Sequence, residues 1–352
     1  MMQRREFLKA GAVGVVTAAE WLARPTVGRA QLPETARLPD PRVVEVSGPT
    51  VQREHLVDGA VLRRMLDDGV QSLMRTRNPE AAWKRLIAAN DVVGIKVDTE
   101  APALSTHHQL VDEIIRRLVI AGVAPDNVIV WDRMSENLDA WGYTLKALPE
   151  LGFADPRGQI LASEGAQGQI RRVGYDPAQF VDSEEDHAAR RDDGSTASLF
   201  SRIITQLATQ VISVPVLRYH PVTGIEGALA SLAMGSMSNT FRFHPKSQDG
   251  MHAIADMWRG SVLQEKHALT IIDGLTGAYD TGPGYDPEFF WPANRLYISR
   301  DPVALDTIAL AAVNDKRTRP ITKETAYIRR AGSLSIGTYD EDQIEHETIE
   351  VN

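Results

Sequence analysis

The amino-acid sequence predicts an α/β fold: an open, mainly parallel sheet with helices on both faces, arranged as one or two lobes. Three observations lead there. An apolar, β-branched run at 91–97, an amphipathic stretch at 109–121 and a second apolar run at 127–131 follow in the order of a βαβ unit. The run 210–217 is so apolar that both its faces must be covered, as in a central parallel strand. Segments with helical spacing alternate with such runs along most of the chain.

Val61, Leu62, Met65, Leu66, Val70, Leu73 and Met74 recur at helical spacing and predict a helix over 57–75. The helix at 109–121 stops against Gly122, a residue that commonly ends helices. Further helices are expected over 199–208, 224–237 and 250–264, and strands over 267–272 and 296–299. The helix over 302–313 opens with Asp301 as its cap and Pro302 in its first turn. Residues 31–56 hold several prolines and little periodicity, and read as a linker or extended arm. The α/β domain is expected over 57–338, and 339–352 reads as an acidic tail without Lys or Arg. The charge-dense stretch 182–193 reads as a solvated loop or lid margin.

Residues 1–30 read as a cleavable signal. Arg4 and Arg5 precede Phe7-Leu8-Lys9, a weakly apolar stretch follows over 10–23, and small residues return up to Ala30, before Gln31. Paired arginines in that setting are the twin-arginine type. The expected partner is the twin-arginine export machinery, and the expected location is periplasmic or otherwise extracytoplasmic. No later apolar run is long enough to span a membrane, so no stable span is expected after cleavage.

The chain of 352 residues carries a formal net charge of −9. Residues 1–30 hold five basic and two acidic residues, so the remainder carries −12. That balance argues against nucleic acid, which needs a basic face, and against docking on anionic lipid. With no cysteine, the chain has no disulfide, no thiolate nucleophile and no iron–sulfur cluster. A metal cofactor, expected to be divalent, must be held by His, Asp, Glu or water.

Five clusters that could carry chemistry sit near strand ends or in loops, where open α/β sheets bind ligands. Lys96 and Asp98 leave the strand at 91–97; Lys96 suits an anionic ligand, and Asp98 a metal or a proton, so both are read as catalytic. Ser105 and Thr106 precede a helix, where they cap it or leave backbone N–H groups for an anion; His107 and His108 follow. Arg218, Tyr219 and His220 come directly after the most apolar strand. His244 sits in an aromatic-flanked loop, Phe241 to Lys246, and could join His220 around a metal. Asp273 ends a strand, and the glycines of Thr281-Gly282-Pro283-Gly284 allow close backbone approach. The expected metal ligands are His107, His220, His244 and Asp273. The expected ligand- or cofactor-binding positions are Thr106, Arg218, Gly282 and Gly284. Asp301 reads first as a helix cap, with Asp306 one turn on. Walker, Gly-x-Gly-x-x-Gly, Gly-x-Ser-x-Gly and His-Glu-x-x-His motifs are absent from the sequence.

Taken in order, these segments resemble the family known as domain of unknown function 362. The matching pieces are 91–97; Ser105-Thr106-His107; 212–220, ending Arg218-Tyr219-His220; Ile272-Asp273-Gly274 with Gly282-Pro283; 299–306; and the closing segment 332–351. The resemblance implies an α/β fold with a biochemical role left open. Some members carry ferredoxin-like clusters, which a cysteine-free chain cannot. The family usually places a lysine where Arg218 stands, and often a second where this chain has Ala228 to Ser231. More distantly, a strand, His220 and then a small-residue helix is similar to the nickel-pincer lactate racemases, in which that histidine holds the metal.

Two functions from different classes fit. One is an extracytoplasmic enzyme with a metal or small anionic ligand at the C-terminal sheet edge. The other is a non-catalytic ligand-binding or accessory protein.

Overall fold

A computed structural model describes residues 38–54, 56–101, 103–143, 160–165, 170–181, 198–244, 252–281 and 286–352. The expected signal over 1–30, the charge-dense stretch 182–193, Gly282 and Gly284 lie outside the described residues. Residues 37–352 form one compact unit. No helix among the described residues is long and apolar enough to cross a membrane.

Among the described residues, the main sheet has twelve strands and is mostly parallel. Its ten strands of three or more residues are β1 (Arg42–Ser47), β2 (Val93–Val97), β3 (Val128–Met134), β4 (Ile160–Glu164), β5 (Gln210–Val214), β6 (Val216–His220), β7 (Gly224–Glu226), β8 (His267–Ala278), β9 (Arg295–Ser299) and β10 (Glu345–Glu350). The order across the sheet is β10-β1-β9-β8-β5-β2-β3-β4. The centre, β8-β5-β2-β3-β4, is parallel throughout. Beyond Pro215 the chain continues as β6, which also lies parallel to β8 and turns back on itself as β7.

Helices cover both faces, and the strands show why. Side chains alternate across a sheet. Ile129 and Trp131 therefore enter one apolar core, and Val128 and Val130 the other. Helices α1 (Gly59–Leu73), α2 (Pro79–Leu86) and α3 (His108–Ile120) feed the second core with residues such as Leu62, Trp83 and Ile114. Helices α5 (Ala228–Gly235), α6 (Ala253–Trp258), α8 (Pro302–Asn314) and α9 (Ala326–Ser333) feed the first, together with the shorter α7 (Val262–Lys266). The short α4 (Ser135–Ala140) follows β3. Asp58 caps α1, accepting N–H bonds from Ala60 and Val61. Asp301 caps α8 as the sequence predicts, accepting from Val303 and Ala304, and its second oxygen takes the N–H of Thr338.

Several expected elements differ. The arm at 31–56 supplies β1, which pairs with β9 and β10, and the acidic tail supplies β10 at the sheet edge. The expected helix at 199–208 is a strand, Ser198–Ser201, running into a π-type turn at Ile203–Leu207; the strand is held by pairing with Tyr175–Val181, a tertiary contact that local spacing does not report. The expected helix at 224–237 begins only at Ala228, because Gly224–Glu226 pairs with β6 instead. The expected helix at 250–264 appears as α6 and α7, separated at Gly260, whose φ of 62° no right-handed helix can continue.

Candidate functional site

Charged residues converge where β2, β3, β6 and β7 end, and strand periodicity places them. On β2 and its continuation, Lys96, Asp98 and Glu100 are alternate residues and so share one face. On the β6–β7 hairpin, Arg218 lies opposite Glu226 and His220 opposite Gly224, which again puts Arg218, His220 and Glu226 on one face. Gly224 makes the turn possible. Its φ is +78°, and a Cβ there would stand 2.5 Å from Thr325.

Lys96 is buried. Its Nζ lies 3.2 Å from Asp132 Oδ1 and donates to Ser231 Oγ at 3.2 Å. Helix α5 covers it: Ser231 and Gly235 are one turn apart, and a Cβ at Gly235 would come within 2.3 Å of Lys96 Cε. Burial works against the charge on Lys96, but Asp132, Asp98 and Glu226 together hold its pKa above the ordinary lysine value. It is therefore a fixed cation rather than a nucleophilic amine. Asp132 is fully engaged, accepting from Thr99 N, Thr99 Oγ1 and Arg133 N at 2.9, 2.6 and 2.7 Å.

Arg218 has no exposed surface. Its Nε and Nη2 clasp Asp98 at 3.0 and 3.2 Å, and Nη2 also donates to Glu100 at 3.0 Å. Burial raises the Asp98 pKa, yet Arg218 and Lys96 bring it below the usual carboxylate range. The Glu226 side chain is only 7% exposed and 3.6 Å from Arg218 Nη2. Burial pushes its pKa up to about 8; Arg218 pulls the other way, and Asp98 and Glu100 reinforce the rise. Glu100 is the outward member, 61% exposed, with its Oε2 3.8 Å from His220 Nε2.

His220 accepts backbone N–H bonds from Val222 and Thr223 on Nδ1, at 3.2 and 3.1 Å. A neutral imidazole carries one N–H, so accepting on Nδ1 places the proton on Nε2, facing Glu100. Burial lowers the His220 pKa to about 4, helped by Arg218. His244 is close enough to lower it further, and its own ring stands 4.9 Å from that of Phe241.

The four expected metal ligands do not come together. Among the described residues, one group of His, Asp and Glu ligand atoms lies within 4.8 Å of one another: Glu100, His220 and Glu226. His107 and Asp273 are instead bound to each other. Asp273 Oδ2 takes the His107 backbone N–H at 2.7 Å and lies 2.8 Å from His107 Nδ1, while Oδ1 takes the N–H of Leu275. Burial disfavours the charged imidazole, but Asp273 outweighs it and raises the His107 pKa. Thr106, expected to bind a ligand, is buried and serves as a tie. Its Oγ1 donates to Val214 O at 2.6 Å and accepts from Asp98 N at 2.8 Å, pinning the end of β2 to the end of β5. His108 bonds Trp141 O and stacks on Tyr143. Asp306 caps α5, taking the N–H groups of Ala228 and Leu229.

Comparison with known families places this geometry. The family model described as "Domain of unknown function (DUF362)" matches residues 93–311, more than half of the chain. The chain belongs to the DUF362 family. No curated protein matches it. Among solved structures, this DUF362 chain is similar to a protein from Thermotoga maritima at 12% identity and a TM-score of 0.36, over 72% of this chain; the match spans 58% of that one. The family-matched span contains Lys96, Asp98, Asp132, Arg218, His220 and Glu226. Arg218 forms the two-oxygen clasp on Asp98. The Ala228 to Ser231 segment opens α5 and lends Ser231 Oγ to Lys96. Asp132 and Glu226 are not singled out from the sequence, and Glu100, which follows Lys96 and Asp98 in the first cluster, is given no role there. Alternation along Lys96, Asp98 and Glu100 was the available signal for one of them; a charge directly after an apolar β3 was the signal for Asp132.

Proposed function

We propose that this DUF362 protein is an exported enzyme that binds a small molecule at the C-terminal edge of its sheet, over Glu100, His220 and Glu226. One observation carries the reading: Lys96, Asp98, Asp132, Arg218 and Glu226, five ionisable side chains each at least nine-tenths buried, meet at that edge. Burying ions costs several kcal/mol each, and apolar replacements of buried ion pairs are often as stable or more so, so stability alone is a poor reason to keep them (~1–4 kcal/mol). Functional sites are where such groups concentrate. Glu100 and His220 form the accessible side, and the buried lattice behind them fixes their positions. Lys96 and Asp98 then hold charge in place, and Arg218 positions Glu100.

The test is native mass spectrometry on the whole chain purified from an exporting host, with fold checked by circular dichroism. The wild type is expected to carry a small organic molecule that His220→Ala has lost. A bare wild type, or the same molecule retained by the variant, contradicts the reading.

The export half of the proposal rests on Arg4 and Arg5 before Phe7-Leu8-Lys9. Replacing both arginines by lysine is expected to leave full-length protein in the cytoplasm, measured by cell fractionation. Normal export of that variant contradicts it.

A further inference from the structure

We propose that Glu100 and Glu226 hold a hard divalent cation, with the His220 Nε2–H facing Glu100 from outside the coordination sphere rather than ligating the ion. This deepens the small-molecule reading of the same edge and rests on it.

The first support is geometric. Carboxylate oxygens of Glu100 and Glu226 and a ring nitrogen of His220 lie within 4.8 Å of one another, the spacing of groups arranged around one ion. The second is the state of Glu226. Its side chain is 7% exposed and ion-paired to Arg218 at 3.6 Å, and among the described residues no shorter hydrogen bond reaches it. Buried polar groups are almost always hydrogen-bonded, and one long ion pair leaves this carboxylate with lone pairs to spare. Arg218 shares its guanidinium between Glu226, both oxygens of Asp98 and Glu100, and its bonds to the last two are the shorter ones. The third is charge. Among the described residues, Asp98, Glu100, Asp132 and Glu226 pair with the cations Lys96 and Arg218, while Arg133 pairs with Glu164 at 2.7 Å. Two positive charges would bring the fully ionised cluster to neutrality.

The division of labour follows from His220. A metal-bound imidazole uses one nitrogen as a lone pair and normally donates N–H from the other. Nδ1 of His220 instead faces two N–H donors, Val222 and Thr223, so it cannot itself be the donor. The proton stands on Nε2, toward Glu100. With oxygen ligands from the protein, the ion fitted is Mn2+, Mg2+ or Ca2+ rather than a nitrogen-seeking ion. Its remaining positions would be open to water and to an oxygen-bearing substrate group, such as a carboxylate or hydroxyl.

The test uses Mn2+ as the probe on the whole chain, with binding followed by electron paramagnetic resonance. Glu226→Gln and Glu100→Gln keep shape and remove charge; His220→Gln keeps a donor at the ring's place. Wild type is expected to show one saturable site per chain. Glu226→Gln should weaken it by more than about 100-fold, while His220→Gln stays within about tenfold. Electron spin echo modulation should detect no directly bound imidazole nitrogen. Absence of a saturable site, unchanged binding in Glu226→Gln, or a coordinated nitrogen overturns the inference. None of these outcomes touches the organic-ligand result for His220→Ala, so failure of the cation and failure of the site are told apart.

Discussion

Replacing Arg218 by Met is expected to cost about 3–5 kcal/mol of folding stability, measured by urea denaturation near neutral pH. The guanidinium is wholly buried and is the cationic partner clasping Asp98, which is itself 1% exposed. Removing it leaves Asp98 with the Lys96 charge, which Asp132 shares, and backbone donors from Glu100 and Val216 at 3.2 and 3.5 Å, too little to compensate a sealed carboxylate. Glu226 loses its nearest cation at the same time. The paired change Arg218→Met with Asp98→Leu removes both charges, and should recover most of the loss. Such a recovery is the signature of an ion pair kept for a purpose other than stability. If the pair is instead as damaging as the single change, the clasp is a structural keystone, and its burial says nothing about function.

The second large effect concerns pH. His267 begins β8, its Nε2 lies 2.7 Å from Thr270 Oγ1, and its ring meets Trp258 edge-on at 5.3 Å. Burial lowers its pKa to about 3, with Arg300 adding to the fall. A base whose folded pKa lies below its unfolded value of 6.5 binds protons more readily in the unfolded chain. Stability from this residue is therefore complete above about pH 6.5 and is lost as pH falls toward 3. The ring keeps some solvent contact, so roughly 2 kcal/mol is expected rather than the full shift. Asp301 and Asp306, raised by burial to about 6 and about 7, act in the opposite sense: their contribution is present at low pH and lost as pH rises through those values. Comparing wild type with His267→Phe cancels them. The stability difference between the two should move in favour of wild type by about 2 kcal/mol from pH 4 to pH 7. A flat difference contradicts the burial of a neutral imidazole.

Much of the fold is legible in the sequence because a central parallel strand has to be apolar on both faces. Residues 91–97, 127–131 and 210–217 announce themselves that way, and the capping signal of Asp301 with Pro302 is local and holds. Edge elements lack that constraint. β10 reads Glu-His-Glu-Thr-Ile-Glu, with Ile349 as its one apolar side chain, and it joins the sheet through backbone pairing with β1 and the ion pairs of Arg42 with Glu345 and Glu347. Nothing in such a string distinguishes an edge strand from a solvated tail. β1 has the apolar run Val43, Val44 and Val46, but prolines on either side mask it.

The candidate site divides the same way. Position after a buried strand pointed to Lys96, Asp98, Arg218 and His220, and the structure gathers them. It could not separate ligand-facing residues from internal ties, because that distinction lies in the partners. Thr106 ties two strand ends, and Asp273 holds His107, through contacts across strands distant in sequence. Glu226 was hidden inside a segment with a helical look, and only the β6–β7 pairing turns it toward Arg218.

The central claim is that the charged lattice at the C-terminal edge of β2, β3, β6 and β7 exists to serve a ligand. The most direct measurement is a crystal structure of the protein purified from its native host, with anomalous scattering recorded. The expected result is ligand density over the edge, in contact with Glu100, His220 or Glu226. A ligand bound elsewhere on the molecule, with only disordered water over that edge, contradicts it.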